Sequence, residues 1–373
     1  MTISKKRVDD LPFALSDLEI IDYQGIKHLV IENLPKHKQW LFLTGENGFG
    51  KTSILKAIAK GLVGDEEAID WMPRQSKIQV QGNCWNKPFA CEVTSRNTVN
   101  PDFQMATYGA ARFRVSPIDP VAFAQSKFSK KTYSLFNDDG MLINIERVLI
   151  DAERDDLNTF NQLKSIFFKI IPNLADLKSE VVNKVRRIRY YEKNEQGELY
   201  PPVFLSELAA GYRSILTMIG DMAKRFSEHP DNLLENLKGI VLIDEFDAHL
   251  HPKYQYELPN LLSAAFPMVQ FIVATHSPIP LLGVNAENAL VLTVYRNKTD
   301  GITVKRLDDD IDIQHLSANA LLTSDIFNFK SVFARGATPD TMIPFNDYKE
   351  VGASEKLVLL RKKMNDLKLK PLL

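Results

Sequence analysis

The fold is decided by one short stretch near the N-terminus, Gly45-Glu46-Asn47-Gly48-Phe49-Gly50-Lys51-Thr52. It matches the pattern Gly-x-x-x-x-Gly-Lys-Thr, and it lies between an apolar run, Trp40–Leu43, and a helix-like segment that begins at Ser53. Glycines let backbone N–H groups surround phosphate oxygens, and a helix N-terminus adds positive potential. Lys51 would reach the β- and γ-phosphates, and the Thr52 hydroxyl would ligate Mg²⁺. The stretch therefore predicts a nucleoside triphosphate site, against the simpler alternative of a glycine-rich turn.

A second motif is an apolar run that ends in two carboxylates, Gly239-Ile240-Val241-Leu242-Ile243-Asp244-Glu245. A continuous apolar run is typical of a parallel strand buried on both faces. At its C-terminal end Asp244 would hold Mg²⁺, and Glu245 would polarise the attacking water. Together the two motifs predict ATP hydrolysis. Taken alone, the run would also fit an ordinary buried strand that is followed by acidic residues.

The spacing of the motifs separates classes of phosphate-loop protein. Lys51 and Asp244 are 193 residues apart (244 − 51). Hexameric ring ATPases place them much closer, whereas ATP-binding-cassette (ABC) and SMC-type heads insert a second lobe between them. The following residues resemble the second group. Phe246–Pro252 resembles the D-loop of SMC-like ATPases, and Phe271–Pro278 resembles a strand leading to a switch histidine, His276, which would contact the γ-phosphate.

Two metal-based interpretations compete with this one. Asp247, His249 and His251 could form a metal cluster, since His-x-His spacing serves a metal when both side chains share a strand face. The acidic run Asp308-Asp309-Asp310 invites a Toprim-nuclease interpretation. The Toprim interpretation is disfavoured because only 97 residues follow His276 (373 − 276). That number is too small for a Toprim domain in addition to the hairpin predicted there.

The residues before the second motif carry a family resemblance. Leu205–Ser214 reads Leu-Ser-Glu-Leu-Ala-Ala-Gly-Tyr-Arg-Ser, and it is similar to the Leu-Ser-Asp-Gly-Tyr-Arg-Ser signature of a large bacterial family of compact SMC-like ATPases. That family includes predicted ATP-binding proteins and the PtuA-type ATPases of the Septu and retron anti-phage systems. Further matches, which extend the resemblance to about Phe329, are Ala106–Arg112, Tyr133–Phe136 and Leu321–Phe327.

One departure from the family pattern lies in this signature. In a head-to-head dimer the family's signature serine touches the γ-phosphate bound by the other subunit, and that serine falls at Ala209 here. The acidic residue after it falls at Ala210, and an offset of three residues argues against a displaced role for Ser206. Gly211 and the helix after it are kept, so backbone N–H groups could still meet the phosphate. We therefore expect slow hydrolysis, which suits a switch better than a motor.

Composition indicates a protein with a substantial core, because 45% of its 373 residues are hydrophobic. No apolar run approaches the length of a membrane span, and Met1–Arg7 lacks the apolar segment of a signal peptide. We therefore expect a cytoplasmic protein with no membrane partner, in which Cys84 and Cys91 remain thiols.

The net charge of −1, from 46 basic and 47 acidic residues, does not demand a nucleic-acid partner. Two local patches keep nucleic acid as an alternative partner. One is Lys184-Val185-Arg186-Arg187-Ile188-Arg189-Tyr190-Tyr191, and the other combines Lys127, Lys130 and Lys131. For the patch at Lys184–Tyr191 we favour a solvated strand whose side chains alternate between its two faces.

The resemblance and the motifs together predict an α/β protein, a two-lobed ABC/SMC-type P-loop NTPase head with a short helical insert. We place an N-terminal ATPase lobe at 1–115, a helical insert at 116–204, a C-terminal ATPase lobe at 205–330 and a tail with an amphipathic helix at 331–373. The insert stands where SMC proteins carry a coiled coil. Its apolar helical stripe is Phe160, Leu163, Ile166, Phe167 and Ile170.

Two antiparallel pairs are predicted. Leu18–Ile21 should pair with Leu29–Ile31, and Leu290–Tyr295 should form a hairpin with Gly301–Val304. Gln104, in a strand-like stretch before the insert, is the nearest candidate for a Q-loop glutamine.

The predicted catalytic residues are Glu245 and His276, and the predicted Mg²⁺ ligands are Thr52 and Asp244. The residues predicted to bind ATP are Gly45, Glu46, Asn47, Gly48, Phe49, Gly50, Lys51, Thr52, Ser53, Gln104 and Gly211.

Two function classes follow. The first is an ATPase switch, a homodimer or higher homo-oligomer that closes around ATP and controls a separate effector, such as a nuclease or another toxin, in anti-phage defence. The second is a DNA-repair-type head that clamps nucleic acid directly. The absence of a recognisable nuclease motif favours the first.

Overall fold

The computed structural model describes residues 9–64, 72–73, 75–94, 103–110, 114–299, 301–307, 318–324 and 327, with the backbone alone at 318–320. The chain divides into two units, Met1–Leu321 and Leu322–Leu373. Nearly all of the second unit, which includes the predicted helix of the tail at 331–373, lies outside the described residues. The acidic run Asp308–Asp310 and residues 111–112 of the Ala106–Arg112 match lie outside them too.

The first part of the chain is rich in strands. Its elements are β1 (Ala14–Tyr23), β2 (Ile26–Ile31), β3 (Trp40–Thr44), α1 (Lys51–Val63), β4 (Lys77–Cys84), β5 (Lys87–Thr94) and β6 (Met105–Tyr108). Strands β1 and β2 pair antiparallel as predicted, with Leu18 opposite Ile31. Every residue of β3 is buried, because it lies inside the sheet and is covered on both faces.

The insert is only partly helical. It contains α2 (Pro120–Ala124), α3 (Tyr133–Phe136), α4 (Ile145–Asp155) and α5 (Leu157–Ile170), followed by strands β7 (Leu174–Val182) and β8 (Val185–Glu192). The predicted stripe on α5 is buried along its whole length. The two strands form an antiparallel hairpin whose turn holds Asn183 and Lys184 at positive φ. A β-hairpin thus replaces part of the helical insert, since this stretch is rich in β-branched residues and lacks helical periodicity.

The last part of the described chain alternates helices and strands. Its elements are α6 (Ala210–Phe226), β9 (Lys238–Ile243), α7 (Pro252–Ala265), β10 (Met268–Ala274), α8 (Ile279–Gly283), β11 (Ala289–Asn297), β12 (Gly301–Arg306) and α9 (Ala318–Thr323). Strands β11 and β12 form the predicted antiparallel hairpin, with Leu292 opposite Arg306.

A ten-stranded sheet joins the two predicted lobes, in the order β5-β4-β1-β2-β12-β11-β3-β10-β9-β6. Its parallel part consists of β11, β3, β10, β9 and β6. The registers place Leu43 beside Ala274 and Val273 beside Ile243, so three strands end at the same edge of the sheet. The phosphate loop, the carboxylates after β9 and the residues after β10 follow these three ends. Sheet topology therefore brings the distant motifs together.

In the described part of the chain, no helix has the length and hydropathy needed to cross a membrane.

Candidate nucleotide site

The loop between β3 and α1 adopts a conformation that only glycine tolerates. Gly45 has φ +130°, and a Cβ there would lie 2.4 Å from the carbonyl oxygen of Val294 on β11. Gly50 precedes α1 with φ +99°, and a Cβ there would lie 2.3 Å from Ile302. Gly45 and Gly50 are thus required by the close approach of the loop to the β11–β12 hairpin.

Lys51 extends from the first position of α1 back into this loop. Its Nζ donates to the carbonyl oxygens of Gly45 (2.7 Å) and Glu46 (2.9 Å). Burial lowers the pKa of Lys51 to about 8, although three carboxylates, the strongest Asp244, act in the opposite direction. The ammonium group therefore lies at the centre of the loop, where phosphate oxygens could replace the carbonyls as its partners.

The rest of the loop is more open. Glu46, Asn47 and Gly48 are exposed, whereas Phe49 is partly buried and packs against the hydrophobic core. Ser53, half-buried, lies on the first turn of α1. This arrangement leaves the backbone of the loop accessible to a ligand, with Phe49 holding one side of it on the core.

The two predicted Mg²⁺ ligands are in contact. The Thr52 hydroxyl donates to Oδ2 of Asp244 at 2.7 Å, across the gap between α1 and the end of β9. Asp244 is mostly buried, and its backbone N–H donates to the carbonyl oxygen of Tyr108. Mg²⁺ is held in proteins by one or two oxygen ligands together with substrate phosphates, so this hydroxyl and carboxylate fit the ion.

Glu245 follows Asp244 in a left-handed conformation, with φ +49°. A non-glycine residue pays of order 1 kcal/mol or more for this conformation, which is found most often at functional sites. The side chain of Glu245 is exposed. Its backbone N–H donates to Oδ1 of Asp244 at 3.1 Å, which fixes the backbone at the strand end.

His276 faces the loop from the end of β10. Its Nδ1 lies 3.3 Å from Nζ of Lys51, which is compatible with a neutral imidazole accepting a hydrogen bond. Burial, and secondly the charge of Lys51, lower the pKa of His276 below its ordinary value. The histidine is therefore uncharged at neutral pH in the protein without a bound nucleotide.

The metal-cluster alternative after β9 is not supported. Oδ1 of Asp247 accepts hydrogen bonds from the Thr275 hydroxyl (2.5 Å) and from the His276 backbone N–H (3.0 Å). The His251 ring instead caps the start of α7 by accepting from the Lys253 N–H. Among the described residues no group of three or more metal-ligating side chains comes together.

The structure does not bring Gln104 to the end of β9 that carries Asp244. Strand β6 is parallel to β9 with Met105 opposite Ile240, and the backbone carbonyl of Gln104 accepts from the Ile240 N–H. Gln104 therefore lies at the N-terminal end of β6, whereas Asp244 follows the C-terminal end of β9. About five residues of extended chain, or roughly 16 Å, separate the two ends. The residue at the correct edge is Gly109, after Tyr108.

The signature residues lie at the start of α6. Ala209 occupies the N-cap position, with φ −51° and ψ 139° and no side-chain hydrogen bond to the helix. Ala210 is exposed and Gly211 half-buried. A Cβ at Gly211 would lie 3.2 Å from the carbonyl oxygen of His249, so this helix start touches the loop after Glu245. A cavity of about 770 Å³ opens beside these residues.

Several cations of the two patches have partners within the chain. Arg189 pairs with Glu180, and the Arg186 guanidinium lies 3.5 Å from Glu153. The Tyr190 side chain is fully buried. Elsewhere, Lys127 pairs with Asp139 and Nζ of Lys131 donates to the carbonyl oxygen of Phe103. These contacts fit the strand with alternating faces better than an open nucleic-acid surface.

Sequence analysis missed two residues near the site. Gln255 on α7 contacts the loops after β9 and after β10, and Arg296 on β11 donates to the carbonyl oxygen of Gly48 at 3.3 Å. Neither belongs to a motif, so no local signal could have identified them.

Comparisons with known proteins find one matching family and several similar relatives. Residues 155–281 match the family described as "AAA domain, putative AbiEii toxin, Type IV TA system". The chain is 27% identical over 335 residues to a Septu protein PtuA of Bacillus mycoides, which covers 84% of this chain and 44% of that protein. It is 33% identical over 147 residues to the "Retron Vc95 probable ATPase" of Vibrio cholerae, covering 36% of this chain and 29% of that protein. The chain thus spans less than half the length of these curated relatives.

Among solved structures, an SMC head bound to the C-terminal winged-helix domain of ScpA matches with a TM-score of 0.49 and 15% identity. The match covers 79% of this chain and 98% of that chain.

Proposed function

We propose that this chain, a relative of the Septu PtuA proteins and of the retron ATPases, binds ATP with Mg²⁺ and hydrolyses it slowly as a molecular switch. The observation that carries the proposal is the assembly of one site from three distant parts of the chain. Lys51 lies 3.3 Å from His276, and Thr52 lies 2.7 Å from Asp244.

The loop residues would bind the triphosphate. Lys51 exchanges its contacts with the carbonyls of Gly45 and Glu46 for phosphate oxygens, and the N-terminus of α1 points its N–H groups at the same oxygens. Thr52 and Asp244 supply the oxygen ligands of the metal. A Mg²⁺ ion bound there would neutralise charge that develops on the phosphates during transfer.

Glu245 and His276 would act on the terminal phosphate. Glu245 is exposed at the strand end beside Asp244, so its carboxylate is accessible and can orient a water molecule for attack. His276, neutral at pH 7, can donate a hydrogen bond to the γ-phosphate from one ring nitrogen.

Dimerisation around ATP is part of the proposal. Helix α6 has 17 residues, and its N-cap has no side-chain hydrogen bond. The first N–H groups of such a helix have no partners inside it and carry positive potential, so they can receive a phosphate. The nearest atoms to a Cβ built on Gly211 belong to His249 and Leu250 of the loop after β9, and none of them belongs to the phosphate loop. A second copy would bring the phosphate to this helix.

The closed dimer would control a separate effector, such as a nuclease, in anti-phage defence. The names of the relatives support this assignment. The alternative, direct clamping of nucleic acid, is less well supported because Arg186, Arg189 and Lys127 are paired within the chain. An electrophoretic mobility assay with and without ATP separates the two, since salt-sensitive DNA binding by the protein alone would favour the clamp.

The ATP site is tested with two substitutions of opposite effect. Lys51→Ala removes the only mobile cation of the loop and should abolish ATP binding, whereas Glu245→Gln should keep binding and stop hydrolysis. Calorimetric titration and phosphate release measure the two properties. Tight ATP binding by the Lys51→Ala protein would contradict the proposal.

The dimer is tested in the Glu245→Gln background by light scattering. ATP should raise the mass of that protein, and Gly211→Asp should prevent the rise by placing a carboxylate against the partner's γ-phosphate. Gly211→Ala is the matched control, because it adds the same Cβ against His249 without the charge. Equal ATP-induced mass for the Asp and Ala variants would refute the head-to-head arrangement.

A further inference from the structure

One glutamine on α7 joins two loops of the site. Gln255 donates through Nε2 to the carbonyl oxygens of Asp247 (3.1 Å) and Leu250 (3.0 Å). Its Oε1 accepts a hydrogen bond from the Ser277 hydroxyl at 2.7 Å. An amide side chain has two N–H donors and one oxygen acceptor. All of these groups are used here, so Gln255 ties the loop after β9 (residues 246–251, the D-loop) to the loop after β10 (residues 275–278, the switch loop).

A second connection lies beside the first. Asp247 of the D-loop accepts from both Thr275 and the His276 backbone in the switch loop. Within the switch loop the Ser277 backbone N–H donates to the Thr275 hydroxyl at 3.1 Å. The imidazole that approaches Lys51 therefore belongs to a loop held at two points by the D-loop and by α7.

The opposite side of the D-loop touches the signature helix. His249 is held at φ +62°, and its carbonyl oxygen and the Leu250 side chain are the nearest atoms to a Cβ built on Gly211, at 3.2 and 3.4 Å. The D-loop therefore lies next to this helix start, and a shift of the D-loop toward α6 would reach its first turn. A continuous series of contacts thus runs from Lys51 through His276, Ser277 and Gln255 to the D-loop and the first turn of α6.

We propose that Gln255 is a positioning residue that transmits the nucleotide state sensed at His276 to the D-loop and to the signature segment at Gly211. The inference rests on the proposed ATPase switch, and it adds the residue that connects the switch histidine to the signature segment. Phosphate binding replaces the contact between Lys51 and His276. The resulting shift of the switch loop moves Ser277, and Gln255 carries that shift to Leu250.

Kinetics of matched variants provide the first test. Gln255→Leu keeps the shape of the side chain without its polar groups, and Ser277→Ala removes the partner hydroxyl. Each should lower kcat about tenfold and leave the KM for ATP within about twofold, because the phosphate loop is untouched. The double variant should be no slower than Gln255→Leu, since both changes break one connection. Gln162→Leu, an exposed glutamine paired with Glu235, is the control and should keep the wild-type kcat.

Hydrogen–deuterium exchange separates failure of the inference from failure of the proposed function. In the Glu245→Gln protein, ATP should slow exchange in peptides from the phosphate loop, the D-loop and the start of α6. With Gln255→Leu added, protection of the phosphate loop should remain while the change in the D-loop and in α6 is lost. If ATP protects all three regions equally with and without Gln255, the inference is wrong. If ATP leaves the phosphate loop unprotected in both proteins, the proposed function fails and the inference with it.

Discussion

The affinity for ATP is expected to fall as the pH rises through about 8, because the loop lysine loses its proton there. Lys51 is 5% exposed, and burial lowers its pKa to about 8. Bound phosphates favour the charged ammonium, so binding raises this pKa and takes up a proton. The apparent Kd should then increase by the factor 1 + 10^(pH − pKa). That factor is about two at pH 8 and about eleven at pH 9.

Isothermal titration calorimetry of the Glu245→Gln protein measures both quantities. Titrations from about pH 7 to about pH 9, in buffers with different heats of ionisation, should show an uptake of about half a proton per site near pH 8. The terminal phosphate of ATP does not interfere, because a phosphate monoester has its second pKa near 6.

Two controls identify the titrating group. Lys51→Arg carries a group with a pKa above 12, so any residual affinity of this variant should be independent of pH in this range. His276→Gln should keep the rise in Kd between about pH 8 and about pH 9, because the lowered pKa of the histidine leaves it neutral there in the nucleotide-free protein. A wild-type affinity that is constant across the range, without proton uptake, would refute the argument from burial.

Three further predictions follow from other contacts. Gly45→Ala should abolish ATP binding, because its Cβ would lie 2.4 Å from a strand carbonyl. Gly48→Ala, which meets no atom within 4 Å but carries the strain of φ +78°, should lose much less affinity, and titration calorimetry compares the two. Ala209→Ser should raise the rate of ATP hydrolysis several-fold through one hydrogen bond of about 1 kcal/mol, and as a new N-cap it should also stabilise α6 by about 1 kcal/mol. An unchanged rate with a raised melting temperature would show that it only caps. Asp221→Asn should destabilise the fold by about 3–5 kcal/mol in urea unfolding, since it leaves the buried guanidinium of Arg225 without its counter-charge.

Sequence patterns predicted well wherever the physical requirement is local. The antiparallel pairs β1–β2 and β11–β12 and the buried stripe of α5 were found because alternation and helical periodicity directly reflect which faces are covered. The hairpin β7–β8 was partly missed. Its turn uses Asn183 and Lys184 at positive φ, without the glycine that usually signals such a turn.

The place of Gln104 relative to the site depends on the sheet as a whole. Its position in a strand-like stretch was recognised, but the distance of a residue from the site depends on strand direction and on register with β9. Those are properties of the sheet, and the sequence around Gln104 does not contain them.

The sequence by itself determined that this protein has a phosphate loop and a carboxylate-tipped strand, because phosphate and Mg²⁺ contacts require particular residues in one contiguous order. Only the tertiary structure decided how these parts work together. The approach of Lys51 to His276, the lowered pKa of Lys51 and the connections made by Gln255 join residues far apart in the chain. Desolvation and hydrogen-bond geometry arise from packing in three dimensions, so the order of residues cannot express them.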